Sequence, residues 1–222
     1  MWCDVGFAVK NEFDDWHAHE HMPERLSIPG FLRGSRWVST DGRNAYFILY
    51  EVKDLATLTA GPYLERLNNP TPWSTKMMPH HRNMVRSLCR VQARFGSCVA
   101  QFMLTLQLTP EPGAERKLGD FLTAELLPKI PSRKGLVSAK LLHDAARTQG
   151  TPTTEQKIRG GDATADWIVL VNGYDAAAVD AVAANEASAA VLAEHGAAPG
   201  SIARVYRVAV LLTSSELRGE TP

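Results

Sequence analysis

Three of the seven histidines of this chain fall within five residues, in the segment DDWHAHEHMPERLSIPGFLRGSRW that runs from Asp14 to Trp37. In a helix, residues three and four apart share a side, which groups His17, Glu20, His21 and Glu24 and turns His19 elsewhere. Imidazoles whose pKa lies near neutrality can exchange protons with a substrate. The chemistry expected is general acid–base catalysis by His17, His21 and Glu20. Arg36, on the strand that follows, would stabilise the oxyanion produced. Arg33 lies on the opposite strand face, because strand side chains alternate.

Other residues supply a substrate-binding surface. Trp16 and Trp37 flank the histidine segment, and Asn69-Pro70-Thr71-Pro72-Trp73 is a stiff loop whose indole would close over an apolar ligand. The pair His80-His81, followed by Arg82 and Arg86, would send one imidazole into the same site. As metal ligands, His17 and His21 need a third donor such as Glu20, Glu24 or His80, and HExxH is missing. The cysteines Cys3, Cys89 and Cys98 have neither CxxC spacing nor an even count. There is no glycine-rich phosphate loop, serine elbow or dinucleotide fingerprint. The expectation is therefore an enzyme with neither metal nor cofactor.

The elements that must position these residues follow from periodicity. Val5–Val9 reads as a first strand, with Asn11 or Asp14 capping the helix after it. Pro29-Gly30 stops that helix, since proline disfavours helical geometry before it and glycine accepts positive φ. Phe31–Ser39 and Ala45–Val52 are strands joined through Asp41-Gly42, a hairpin signal. Asp54 caps a second helix to about Leu67, and Leu88–Phe95 alternates as a half-buried strand. The first half thus reads βαββαβ.

The second half repeats that order from Val99 onward, with its first helix near Glu115–Ile130. Asp15, Glu20, Pro23, Ser27 and Gly30 reappear as Asp120, Glu125, Pro128, Ser132 and Gly135, each pair 105 positions apart. The division is expected near Gly96–Ser97, giving residues 1–96 as a first unit that carries the site and 97–222 as a second, degenerate one. The segment Arg147–Asp162, rich in Gly and Thr, is expected to be an exposed mobile loop. Each unit would have an antiparallel sheet with helices on one face and an apolar face needing cover. Two such sheets closing face to face make an α+β fold, a pseudo-dimeric α/β barrel held in one chain.

The repeat also acts as a control on packing. His17 and His21 correspond to Leu122 and Leu126, so both should face inward, while His19 corresponds to Ala124. Imidazoles buried where a sister unit places leucines cost desolvation and mark a functional site. Glu20 is matched by Glu125, which suits a structural role as well. Arg36 and Trp37 correspond to Leu141 and Leu142.

Composition sets the remaining bounds. With 222 residues and 45% hydrophobic side chains the chain can bury a large core. Acidic and basic residues balance at 24 each, which gives no field for nucleic acid or anionic lipid. No apolar run approaches the ~18 residues of a membrane span, and the chain reads as cytoplasmic. Its expected partner is a small-molecule substrate, with homodimerisation left open.

The segment FDDWHAHEHMPERLSIPGF, with aromatic, His, Met-Pro and Pro-Gly in that order, resembles the first helix and second strand of the dimeric α/β barrel superfamily (ferredoxin-like), especially its EthD-like branch. The resemblance implies a tandem of ferredoxin-like units with the motif only in the first, and places the branch's helix histidine at His21. It also implies a range of reactions. A cofactor-independent lyase, isomerase or cyclase acting on a small carbonyl or aromatic compound in an apolar barrel pocket is the leading expectation. A haem- or metal-dependent or cofactor-free monooxygenase is the alternative, and a non-catalytic small-ligand-binding or stress-response protein is another.

Overall fold

The computed structural model describes residues 1–145 and 152–220. Along the chain, β1 (Trp2–Asp4) leads into α1 (Lys10–Trp16), a π-helical turn (His17–His21) and α2 (Met22–Leu26). The hairpin β2 (Phe31–Ser39) and β3 (Ala45–Val52) precedes α3 (Gly61–Asn68), α4 (Pro72–Met77) and β4 (Arg82–Val85). Then come β5 (Cys89–Phe95), β6 (Phe102–Leu108), α5 (Glu115–Asp120), β7 (Leu136–Asp144) and α6 (Thr154–Arg159). The chain closes with β8 (Trp167–Gly173), α7 (Ala176–Ala184), α8 (Ala189–Glu194), β9 (Ile202–Thr213) and α9 (Ser214–Leu217). The fold is α+β, with helices packed on antiparallel β-sheet.

The chain packs as two compact units, one of Met1–Leu88, Ala146–Thr164 and Ala209–Pro222, the other of Cys89–Ala145 and Ala165–Val208. In the first, the strand order is β4-β1-β3-β2, with the end of β9 beside β2. Its helices cover the sheet through Phe13, Trp16, Tyr46, Ile48, Met77 and Met78. A second cluster joins Met22, Leu26, Phe31, Tyr63 and Leu67. In the second unit the order is β9-β6-β8-β7-β5. Leu104, Leu106, Leu122, Leu126, Val169 and Val171 belong to its core.

Several elements differ from the sequence reading. The first strand forms at Trp2–Asp4, and Phe7–Val9 makes a 3-10 turn instead. Trp2 and Cys3 are buried, and the Asp4 carboxylate at the end of the strand accepts from Asn83 Nδ2 at 2.7 Å. No side chain caps α1. Cys89–Phe95 is a strand, but it pairs with β7; the place beside β1 goes to the short β4. Within the expected mobile loop, residues 146–151 lie outside the described residues, while Thr154–Arg159 is helical with a capping box between Thr153 and Gln156. No helix among the described residues is long and apolar enough to cross a membrane.

The helix that carries the histidines has a local cause for its geometry. Pro23 has no N–H to offer the carbonyl of His19, and its ring crowds that carbonyl. The turn before it widens into the π form, His17–His21, a geometry often found at functional sites. The second unit does the same, with a π turn at Phe121–Leu126 ahead of Pro128. After each helix a glycine turns the chain into a strand at positive φ, Gly30 at 94° and Gly135 at 87°.

Candidate active site

The π turn places His17 and His21 on the inner side of the helix, buried at 1% and 8% exposure. Their ring centroids are 5.7 Å apart with planes tilted by 43°. Trp16 backs the pair, with its ring 4.5 Å from that of His21. His17 Nε2 and the Tyr50 hydroxyl of β3 lie 3.5 Å apart, and Phe13 stacks on His17 at 6.1 Å. The Nδ1 atoms of both histidines are buried without a hydrogen-bond partner. Such atoms carry a desolvation cost that a ligand would relieve.

A third imidazole approaches from the segment before β4. His81 is buried and its ring stands edge-on to Phe13 at 5.1 Å and to Trp16 at 5.8 Å. Its Nδ1 faces the Met78 carbonyl at 3.1 Å, which makes Nδ1 the protonated nitrogen of the neutral ring. His80, its neighbour in sequence, is only half-buried. His19 is exposed.

Two buried guanidiniums, both within the first unit, act on the imidazoles. Arg36 on β2 donates from Nη1 to the Asp14 carbonyl at 2.8 Å and sits 3.4 Å from the Asp14 carboxylate. Its Nε has no partner. Arg25, one helical turn beyond His21, is 3% exposed. It pairs with Glu24 at 3.1 Å and with Glu155 of α6. Glu155 also meets Arg159 at 3.6 Å, and Arg159 meets Asp162 at 2.9 Å.

These surroundings set the protonation states. Burial foremost, then the Arg36 guanidinium, pushes His17 well below the ordinary imidazole range. Burial and then Arg25 do the same to His21. Burial and then Arg159 bring His81 down to about 4. The near-neutral imidazoles expected from sequence are therefore neutral, weakly basic rings at physiological pH. Burial pushes the Tyr50 hydroxyl up, so it stays a donor.

Not every candidate residue reaches this cluster. Glu20 Oε1 accepts from Thr71 Oγ1 at 2.5 Å, from Trp16 Nε1 at 3.2 Å and from Ser74 Oγ at 3.3 Å, which ties the π turn to the start of α4. Trp37 lies on the opposite face of β2 from Arg36, with its indole donating to Ser35 Oγ at 2.9 Å. Trp73 packs against the core around Phe13 and Trp16. Asn69 is exposed, and its amide bonds the Glu65 carbonyl at 3.2 Å. Among the described residues no group of three His, Cys, Asp or Glu side chains converges as a metal site.

Four participants went unread in the sequence. Arg25 stood out by no spacing of its own, Glu155 and Arg159 fell in the loop expected to be mobile, and Tyr50 was one aromatic of a strand. The readable signal was register: Tyr50 stands four positions from Tyr46 on β3, so both face the helices.

No protein-family model and no curated protein matches the chain. Solved structures do. A protein from Fusobacterium nucleatum subsp. nucleatum, provisionally assigned as a monooxygenase, shares 8% identity at a TM-score of 0.60, with 96% of this chain and 91% of that one covered. An anthrone oxidase-like protein shares 11% identity at a TM-score of 0.63, with 97% and 92% covered. A provisionally assigned monooxygenase from Lactobacillus acidophilus shares 9% identity at 0.55, with 96% and 93% covered. At such identities the likeness gives the fold alone.

Proposed function

We propose that the chain is a cofactor-independent enzyme whose first unit removes a proton from an acidic organic molecule and lets the resulting carbanion react with dioxygen. The observation that carries this reading is the pair of buried imidazoles, each with an unpartnered Nδ1, flanked by Arg25 and Arg36. His21 is the base, because it is the more exposed of the two and matches the family histidine of the EthD-like pattern. His17, near the Tyr50 hydroxyl, orients its neighbour. The free Nε of Arg36 is the donor left for a developing oxyanion.

A weakly basic imidazole selects its substrate by acidity. Only a C–H or O–H whose anion is well delocalised gives up a proton to it, and an enolisable aryl ketone of the anthrone type meets that demand. The carbanion adds dioxygen, the proton held on His21 returns to the peroxide oxygen, and loss of water leaves a carbonyl in place of the methylene. One oxygen atom enters the product and the other leaves as water, so no outside reductant is needed. The monooxygenase and anthrone oxidase-like designations of the structural neighbours favour this outcome over the lyase, isomerase or cyclase outcomes that the same proton abstraction would serve. We read the two strand-helix-strand-strand-helix-strand runs as duplicated ferredoxin-like units, residues 1–96 and 97–222, with the site kept in the first.

The test is oxygen uptake with anthrone as probe, followed by product analysis. The expected result is one dioxygen consumed per ketone formed, with His21→Ala slower by about 100-fold to 10,000-fold. Absence of uptake, or full activity in His21→Ala, would remove the reading.

A further inference from the structure

The segment between β7 and β8 has no counterpart in the first half, where β2 and β3 are joined by the short turn Thr40–Asn44. Its described part belongs to the first unit. The segment is pinned at both ends: Thr154 N donates to Asn68 Oδ1 at 3.2 Å, and Ala163 exchanges backbone hydrogen bonds with Met84 and Arg86 at 2.9 and 2.8 Å. Between these anchors, α6 turns Glu155 inward to 2% exposure, where its carboxylate meets Arg25. An acidic side chain buried so fully needs a specific partner, and here that partner stands one helical turn from His21.

Resting on the catalytic reading of His21, we propose that Glu155 is a positioning residue: it fixes the Arg25 guanidinium against the His21 side of the helix and thereby keeps the imidazole in its proton-accepting form. After burial, the groups that disfavour a proton on His21 are Arg25 and His17 from its own helix, His81 from the segment before β4, and Arg159 from α6. Arg25 is the strongest of these charges on His21. Arg25 has a second carboxylate in Glu24, toward the surface at 11% side-chain exposure. Without Glu155 the guanidinium is drawn to Glu24 and away from the imidazole.

The experiment is NMR titration of the His21 ring in the full chain, which needs no substrate, together with kcat and KM for anthrone oxidation. In Glu155→Gln the His21 midpoint should rise by at least about half a pH unit as the cation withdraws, kcat should fall with KM little changed, and Glu155→Asp should restore most of both. Arg25→Gln should raise the midpoint equally. An unchanged midpoint in folded Glu155→Gln overturns the proposal, and a lower one overturns it too, since Glu155 would then be only a counter-charge to an Arg25 that stays in place. Should Glu155→Gln not fold, the double variant Arg25→Gln/Glu155→Gln must match the midpoint of Arg25→Gln; a further change refutes action through Arg25. A midpoint shift without any turnover would leave the positioning intact and remove the catalytic reading, whereas turnover lost in His21→Ala without a midpoint shift in Glu155→Gln would do the reverse.

Discussion

His17 and His21 lie in one π turn with rings 5.7 Å apart, and the π turn Phe121–Leu126 of the second unit buries Leu122 and Leu126. Replacing either imidazole by leucine therefore asks for a side chain that the same local geometry already accepts. His17→Leu and His21→Leu should leave stability unchanged or raise it by about 1 kcal/mol, because an unpaired buried polar atom is removed. Thermal melting of each variant checks this, and a loss above about 2 kcal/mol would show that the imidazoles make stabilising bonds.

Acid should unfold the protein through its buried histidines. A histidine whose folded pKa lies below its unfolded value binds fewer protons when folded, so stability is complete above about pH 6.5 and falls as the pH drops toward the folded value. With His81 held at about 4, that residue alone costs roughly 3 kcal/mol by the time the pH reaches 4. His17 and His21 add losses of the same sign. Urea titrations between pH 8 and pH 4 should show a steady fall beginning near 6.5, and a flat profile would mean that these rings are already solvated.

Glu20 joins the π turn to α4 through Trp16, Thr71 and Ser74. Glu20→Ala removes a charged acceptor shared by three donors, and each bond to a charged group contributes on the order of 1.5–3 kcal/mol. A loss of several degrees in melting temperature is expected, with hydrogen exchange quickened first in Pro72–Met77.

Gly34 on β2 pairs with Tyr50 and lies beneath Met22 of α2. A Cβ there would stand 3.0 Å from both Met22 Cγ and Tyr50 Cε1. Gly34→Ala should cost about 1–3 kcal/mol by overpacking and displace the tyrosine ring from His17. Chemical denaturation and the shift of the His17 ring resonances would register the two effects, and a silent substitution would mean the contact is loose.

Arg25→Met leaves Glu155 buried without its closest cation. Removing one partner of a buried pair costs about 3–5 kcal/mol, whereas replacing both by apolar groups is often nearly neutral. Arg25→Met/Glu155→Leu should thus recover much of what Arg25→Met loses, measured by guanidinium unfolding.

The histidine helix and the hairpin after it were legible because their causes are local. His17 and His21 could be turned inward by comparison with two leucines 105 positions on, and Pro29-Gly30 and Asp41-Gly42 punctuated the chain with glycines found at positive φ. Burial of Arg36 was within reach of strand alternation. Arg25 and Glu155 were not, because residues 130 positions apart carry no periodic signal toward each other. A glutamate in a polar stretch looks solvated until a buried cation is found opposite it.

The sequence by itself determined the inward helix stripe, the proline-widened turn and the strand-helix alternation of both halves, since each depends on neighbours a few residues away. Only the tertiary structure decided that Cys89–Phe95 pairs with β7 while Arg82–Val85 lies beside β1, and that Glu155 returns to the first unit. It also decided that the imidazoles are neutral. Strand partnership, burial and charge compensation are summed over groups distant in sequence, and desolvation becomes known only when all of them are in place.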